Sequence, residues 1–181
     1  MAARPTRHRV GVICHQPHVR HVEAIGEPFR ERIIKVSYFG SGEDRSSNAW
    51  YRLCDLIIVC GTPRVPPDAI QMYLFQLGEI EAACRSAKWG VFRWRGQSES
   101  GREIIVNGLG YPEDKDWQEA HRDLVRSAVV QAVGRGRGIL ENGCETVVVS
   151  TEEAGLLLAD DQDLEPMGDS ECTTFTKLVE L

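Results

Sequence analysis

Leu56-Ile57-Ile58-Val59, followed by Cys60, is the longest uninterrupted apolar run in the chain. A strand with no polar positions has no face to give to water. It has to be covered on both sides, which is the condition of a strand inside a parallel sheet. Parallel neighbours cannot be joined by a tight turn and need crossover connections, usually helices. The run therefore predicts strands alternating with helices around a mainly parallel central sheet, an α/β fold in three layers.

The remaining segments read accordingly. Arg9–Cys14 is a first strand, and after the polar His15-Gln16-Pro17-His18 a short helix extends through about Gly26. Ile33–Phe39 is a second strand, ended by Gly40-Ser41-Gly42, and Leu53–Cys60 is the third, stopped by Gly61-Thr62-Pro63. Pro66-Pro67-Asp68 opens a helix from about Asp68 to Ala87; proline suits a first turn, where its missing N–H would have had no helical partner. Residues 89–107 form an inserted β-hairpin: Val91-Phe92-Arg93-Trp94-Arg95 alternates, Gly96–Gly101 turns, and Glu103-Ile104-Ile105-Val106 returns. A long helix from about Asp114 to Val133 carries Trp117, Ala120, Leu124, Ala128 and Ala132 at helical spacing. Asp114 or Glu113 can cap it, and Gly134, Gly136 and Gly138 end it. Thr146–Ser150 is a last buried strand.

At 181 residues the chain has room for one ordinary domain, expected over 1–158, with an acidic tail over 159–181. It is too short to hold both lobes of a two-lobed motor. The net charge of −6 would exclude a generic nucleic-acid coat protein if it were spread evenly, but it is not. Residues 1–150 hold 20 Lys+Arg against 18 Asp+Glu, whereas 151–181 hold 1 against 9. The acidity belongs to the end of the chain, and the mildly basic remainder leaves nucleic acid open as a partner. No stretch approaches the roughly 20 apolar residues of a membrane span. The basic N-terminus has no apolar segment behind it, so no secretory signal is read and a cytoplasmic location is expected. Cys14, Cys54, Cys60, Cys84, Cys144 and Cys172 are scattered with no C-x-x-C pair, which reads as buried free thiols in a reducing compartment.

Four stretches could carry chemistry. Gln131-Ala132-Val133-Gly134-Arg135-Gly136-Arg137-Gly138 alternates arginines with glycines at a helix end. Glycine removes side-chain bulk so that a phosphate can approach, and guanidinium suits bidentate contact with its oxygens. The bland alternative is a helix cap whose arginines complement the dipole. The polar loop from Tyr38 to Trp50 leaves the carboxyl end of a strand, where open parallel sheets bind ligands, and offers Asp44, Arg45 and Asn48. Gly61-Thr62-Pro63-Arg64-Val65-Pro66-Pro67 is a similar but stiffer loop. Lys88–Arg95 interleaves aromatics with cations, as single-strand binders do, or buries Phe92 and Trp94 while Arg93 and Arg95 face water. Cys14, His15, His18 and His21 are possible metal ligands, but three-residue steps along one helix side seldom close a tetrahedral site, and no metal is expected. No G-x-x-x-x-G-K-[ST] phosphate loop, G-x-G-x-x-G or G-x-S-x-G occurs.

The order YFGSGEDRSSNAW, CDLIIVCGTPRVPP and VVQAVGRGRG before a buried strand resembles the C-terminal RecA-like lobe of superfamily-two helicases, over roughly residues 9–158. It is most similar to helicase-like proteins of bacteria, phages and plasmids. The resemblance implies a three-layer RecA-like domain of the P-loop NTPase type. In such lobes the Q-x-x-G-R block faces ATP on the other lobe. Here Arg135 would stabilise charge on the transferring phosphate, with Arg137 as a second arginine and Gln131 and Gly134 at the nucleotide. Asp44 and Asn48 would couple nucleotide to nucleic-acid backbone, and Arg45, Ser47 and Arg64 would lie along the DNA or RNA track. ATP and Mg would be held only through an N-terminal partner lobe, in the same or another chain, so no autonomous ATPase is expected. Two departures stand out: Arg137 follows Arg135 by two residues rather than three, and Ser46-Ser47-Asn48 replaces the usual Gly-x-Asp. They support the alternative of a stand-alone interaction or regulatory module. Self-association through the face meant for the missing lobe is a further expectation. A complete small-molecule enzyme would need a nucleophile–base pair or metal set that this sequence does not assemble.

Overall fold

The structure is a computed structural model and describes residues 9–42, 49–98, 100–137 and 143–152. Among these, the strands are β1 (Val10–Cys14), β2 (Ile33–Tyr38), β3 (Leu56–Cys60), β4 (Gly90–Gln97), β5 (Glu103–Gly110) and β6 (Glu145–Val149). The helices are α1 (Val19–Gly26), α2 (Trp50–Leu53), α3 (Pro67–Gln76), α4 (Ile80–Cys84) and α5 (Lys115–Val133). One sheet has the order β2-β1-β3-β6, and β4 pairs with β5 in a second. β1 is parallel to both neighbours, with Val12 opposite Val36 on β2 and Ile58 on β3. Glu145 N–H donates to Asp55 O at 3.0 Å and Gly61 N–H donates to Val149 O at 2.8 Å, so β6 runs with β3.

The side-chain alternation of these strands makes the three layers. Val10, Val12, Cys14 and Ile58 point to one face, where Val22 of α1 joins them and Val19 and Ile25 pack alongside. Ile13, Ile57 and Val59 point to the other face, against Trp50 of α2, Cys54, Ala132 at the end of α5, and Cys144. The run that sets the fold class is thus covered on both sides, as a strand without polar positions requires. No described helix is long and apolar enough to cross a membrane.

The chain divides into two compact units. The first holds the described residues up to Cys60 together with Ala132–Val148, including both packed faces of the parallel sheet. The second holds Gly61–Gln131 and the described residues from Val149 on. Its core gathers Ile70 and Leu74 of α3, Ala82 and Ala83 of α4, and Tyr111, Trp117 and Ala120. Trp117 Nε1–H donates to Ala82 O at 2.8 Å, so the indole is satisfied although buried. Asp114 caps α5, its Oδ1 accepting the N–H of Asp116 at 3.1 Å and of Trp117 at 3.2 Å. The Arg85 guanidinium, 2.9 Å from Asp114 Oδ2, holds the Asp114 carboxyl below its usual range. In the hairpin, Trp94 is buried and its Nε1–H donates to Thr151 O at 2.9 Å, while Arg93 and Arg95 face water.

Four expectations change. Among the described cysteines Cys84 is exposed and Cys60 half-buried, so they are not all buried thiols. The last strand runs over Glu145–Val149 and is exposed or half-buried rather than buried. The helix predicted over Asp68–Ala87 is broken after Gln76. Gly78 takes a left-handed φ of 82°, with its N–H on Phe75 O at 3.1 Å and Glu79 N–H on Leu74 O at 2.9 Å. This is the paired-bond glycine stop of a helix end. It lets Ala82 and Ala83 fold into the cluster that holds Ile70 and Leu74. The third strand begins at Leu56 rather than Leu53, because Trp50–Leu53 coil into a turn that places Trp50 in the core.

His121 of α5 is 1 % exposed, with its ring 5.2 Å from Trp89 and 5.9 Å from Tyr111. Burial disfavours the imidazolium and lowers its pKa from the ordinary value. The unfolded chain then binds a proton that the native chain refuses. Stability is full above about pH 6.5, the unfolded value, and falls as pH drops from there toward the depressed native value. A urea-midpoint series from pH 8 to pH 5 should show this fall, and His121→Phe should flatten it. An unchanged slope in the variant would assign the pH dependence elsewhere.

Candidate functional site

The end of α5 shows why glycines interrupt the arginines. After Val133 the chain tightens into a 3-10 turn over Gly134–Gly136. Gly136 is buried, and a β-carbon there would lie 2.6 Å from Thr146 Oγ1 and 3.0 Å from the Cys144 carbonyl oxygen. The same approach lets Cys144 N–H donate to Gly136 O at 2.8 Å. Arg137 then adopts a left-handed φ of 46°, alone among the described non-glycine residues. Arginine has a Cβ to accommodate there, at about 1 kcal/mol or more, so the surroundings must hold it.

The Arg137 guanidinium stands over the Tyr51 ring, 5.2 Å from its centre. Arg52 approaches the same ring at 5.5 Å, and its Nε–H donates to Tyr51 Oη at 3.0 Å. Tyr51 in turn lines a cleft of about 530 Å³ with Arg9, Arg52, Cys54, Asp55 and Gly143. Arg9 is tied to Asp55: its backbone N–H and Nε donate to Oδ2 at 2.9 and 3.2 Å, and Nη2 donates to Oδ1 at 2.9 Å. The cleft lies at the amino ends of β1 and β3. It carries two guanidiniums, Arg9 and Arg52, against one carboxylate, Asp55, and its Tyr51 ring orders Arg52 and, from outside the lining, Arg137. Such a surface is suited to oxyanions, above all phosphate.

The sequence-predicted residues separate. Gly134, Arg135 and Arg137 lie in the first unit, with Arg135 half-buried and Gly134 and Arg137 exposed. Gln131 and Arg64 are exposed residues of the second unit, and Gln131 Nε2–H donates back to Ser127 Oγ at 3.5 Å. Asp44, Arg45, Ser47 and Asn48 lie outside the described residues. Sequence reasoning missed Arg9, Tyr51, Arg52 and Asp55. A signal existed for two of them, because Tyr51-Arg52 is an aromatic–cation pair directly after the loop already singled out. The histidines do not converge: His15 packs on Phe39 at 5.4 Å and on His18 at 6.1 Å, whereas His21 faces water. Among the described residues, no group of three or more His, Cys, Asp or Glu is placed to hold a metal ion.

Fold and site define a three-layer α/β domain with a parallel central sheet, compatible with a RecA-like fold and carrying an arginine-lined cleft. The protein-family models, curated proteins and solved structures compared with the chain include no match.

Proposed function

We propose that this chain is one lobe of a two-lobe, ATP-driven nucleic-acid motor, presenting Arg135 and Arg137 to a triphosphate held on a separate lobe. The observation that carries this reading is Arg137, an arginine in a glycine conformation over the ring of Tyr51, which itself lines a phosphate-suited cleft. A strained arginine is a costly way to solvate a surface, and strain concentrates where a side chain must be aimed. On this reading ATP and Mg would be held by the partner lobe, since the sequence contains no phosphate-loop motif. Gln131 and Gly134 belong to the same nucleotide-facing segment. Asp44, Arg45, Ser47, Asn48 and Arg64 are assigned to the coupling loop and the nucleic-acid track.

The test is binding of a fluorescent single-stranded 20-mer, DNA and RNA in turn, to the full chain across a salt series. The expected result is affinity that falls linearly in log–log form with salt. Arg45→Ala with Arg64→Ala should weaken it for all sequences and reduce the slope by about 1.4, roughly 0.7 per lost single-strand phosphate contact. With a phosphate-loop lobe added, Arg135→Ala with Arg137→Ala should lower hydrolysis by about 10³–10⁵. Wild-type chain with no salt-sensitive binding would overturn direct nucleic-acid contact. That result would favour the second reading, a lobe-derived interaction module, to which the Arg135–Arg137 spacing and Ser46-Ser47-Asn48 already point.

A further inference from the structure

β1 and β3 are neighbours in register, with Val12 opposite Ile58 and Ile13 opposite Val59. Continued by one residue along both strands, that register sets Cys14 opposite Cys60. Both belong to the same sheet face: Cys14 is a buried member of the cluster over α1, and Cys60 packs against that cluster. Adjacent strands lie about 4.8 Å apart, inside the window of roughly 4.4–6.8 Å between α-carbons that a disulfide spans. Both residues end their strands; the Cys14 carbonyl accepts Phe39 N–H at 3.0 Å and its Sγ lies 3.7 Å from Ser37 O on β2, so closing the bond requires the thiol to turn from β2 towards β3. The two thiols differ in access, since Cys14 is 2 % exposed and Cys60 is half-buried.

We propose that Cys14 and Cys60 form a reversible dithiol–disulfide site at the carboxyl edge of the parallel sheet, oxidised by low-molecular-weight disulfides such as oxidised glutathione. The reachable Cys60 reacts first. Its thiolate attacks one sulfur of the oxidant, forming a mixed disulfide and releasing one glutathione thiolate. Cys14, as thiolate, then attacks the Cys60 sulfur, closes the Cys14–Cys60 bond and expels the second glutathione thiolate. The two protein thiols lose two electrons and two protons, and the oxidant becomes two thiols. Burial, with Cys60 adding to it, pushes the Cys14 thiol up to about 11, so the closing step is the slow one. The bond would tie β1 to β3 across the segment that carries α1, β2 and α2.

The site is independent of the nucleotide reading and is tested separately. Full-length protein is incubated with oxidised glutathione, capped with an alkylating agent, digested with trypsin without reduction and analysed by mass spectrometry. The expected product joins peptide 10–20 to peptide 53–64, with fragment spectra assigning the bond to Cys60, and dithiothreitol reverses it. Cys54 shares the second peptide but belongs to the opposite sheet face, so it serves as an internal control. In Cys14→Ser the glutathione adduct on Cys60 should accumulate several-fold, and in Cys60→Ser the linked peptide should vanish. A wild-type digest in which Cys60 carries glutathione but never Cys14, or in which Cys14 is joined to Cys54, would overturn the assignment.

Discussion

Trp50→Ala should lower the stability of the first unit by about 3–5 kcal/mol, the range for emptying a buried aromatic site. Trp50 is 0 % exposed and lies in the cluster with Ile13, Ile57, Val59 and Ala132. Its ring is accommodated by the missing side chain of Gly11, where a β-carbon would come within 2.7 Å of Cζ3. Lys35 Nζ stands 4.9 Å from the ring centre, and that contact is lost in the variant. The helix that carries Trp50 has four residues and no stability of its own, so the tryptophan is what anchors it. Against a typical total of about 5–15 kcal/mol, such a loss populates unfolded chain. Urea unfolding followed by far-UV circular dichroism would measure it, and Trp50→Phe should recover part of the loss. A midpoint shift worth less than about 1 kcal/mol in the alanine variant would remove Trp50 from its anchoring role. Because Tyr51 and Arg52 ride on the same turn, anion binding at the cleft should fail with it.

Gly136→Ala and Gly134→Ala should behave oppositely, although they flank the same arginine. At Gly136 the added carbon meets Thr146 Oγ1 at 2.6 Å and the Cys144 carbonyl oxygen at 3.0 Å. The carbonyl belongs to backbone leading into β6 and cannot turn aside. Overpacking of this kind costs about 1–3 kcal/mol and shifts the segment that aims Arg137. At Gly134 the added carbon meets nothing within 4 Å, and the residue is exposed at a helix end. Removing unfolded-state freedom there should leave stability unchanged or raise it by about 0.4–1 kcal/mol. Paired thermal melts compare the two directly. Equal destabilisation would mean that the turn, rather than the contact at Gly136, demands both glycines.

The layer order was legible because the apolar run and the alternation of Val10, Val12 and Cys14 are local signals with one physical solution. The cap at Asp114 and the inserted hairpin were legible for the same reason. The break at Gly78 was legible in principle but was overridden by the helical character on both sides of it. The turn at Trp50–Leu53 was not, since only the tertiary burial of Trp50 converts those residues from strand to helix. Of the site, the sequence offered the arginines but not their setting. Arg9 and Asp55 become neighbours through the pairing of β1 with β3, and Tyr51 meets Arg137 across nearly half of the chain. Such juxtapositions are products of topology and leave no periodicity to read.

The division of the chain has a consequence for its synthesis. The first unit is discontinuous, with the whole of Gly61–Gln131 inserted between β3 and the residues that complete its core. A ribosome therefore releases the inserted unit's α3, α4, hairpin and most of α5 before it releases Ala132, Cys144 or β6. Until then β1, β2 and β3 form a parallel sheet with one edge of β3 open to other strands. Translational pausing in the codons just past Val133 would prolong that exposed state, whereas pausing inside the insertion would leave its own local contacts time to form. Nascent chains stalled at these two points should differ in how readily they are captured by a strand-binding chaperone, a property set by the order of emergence and not by final stability.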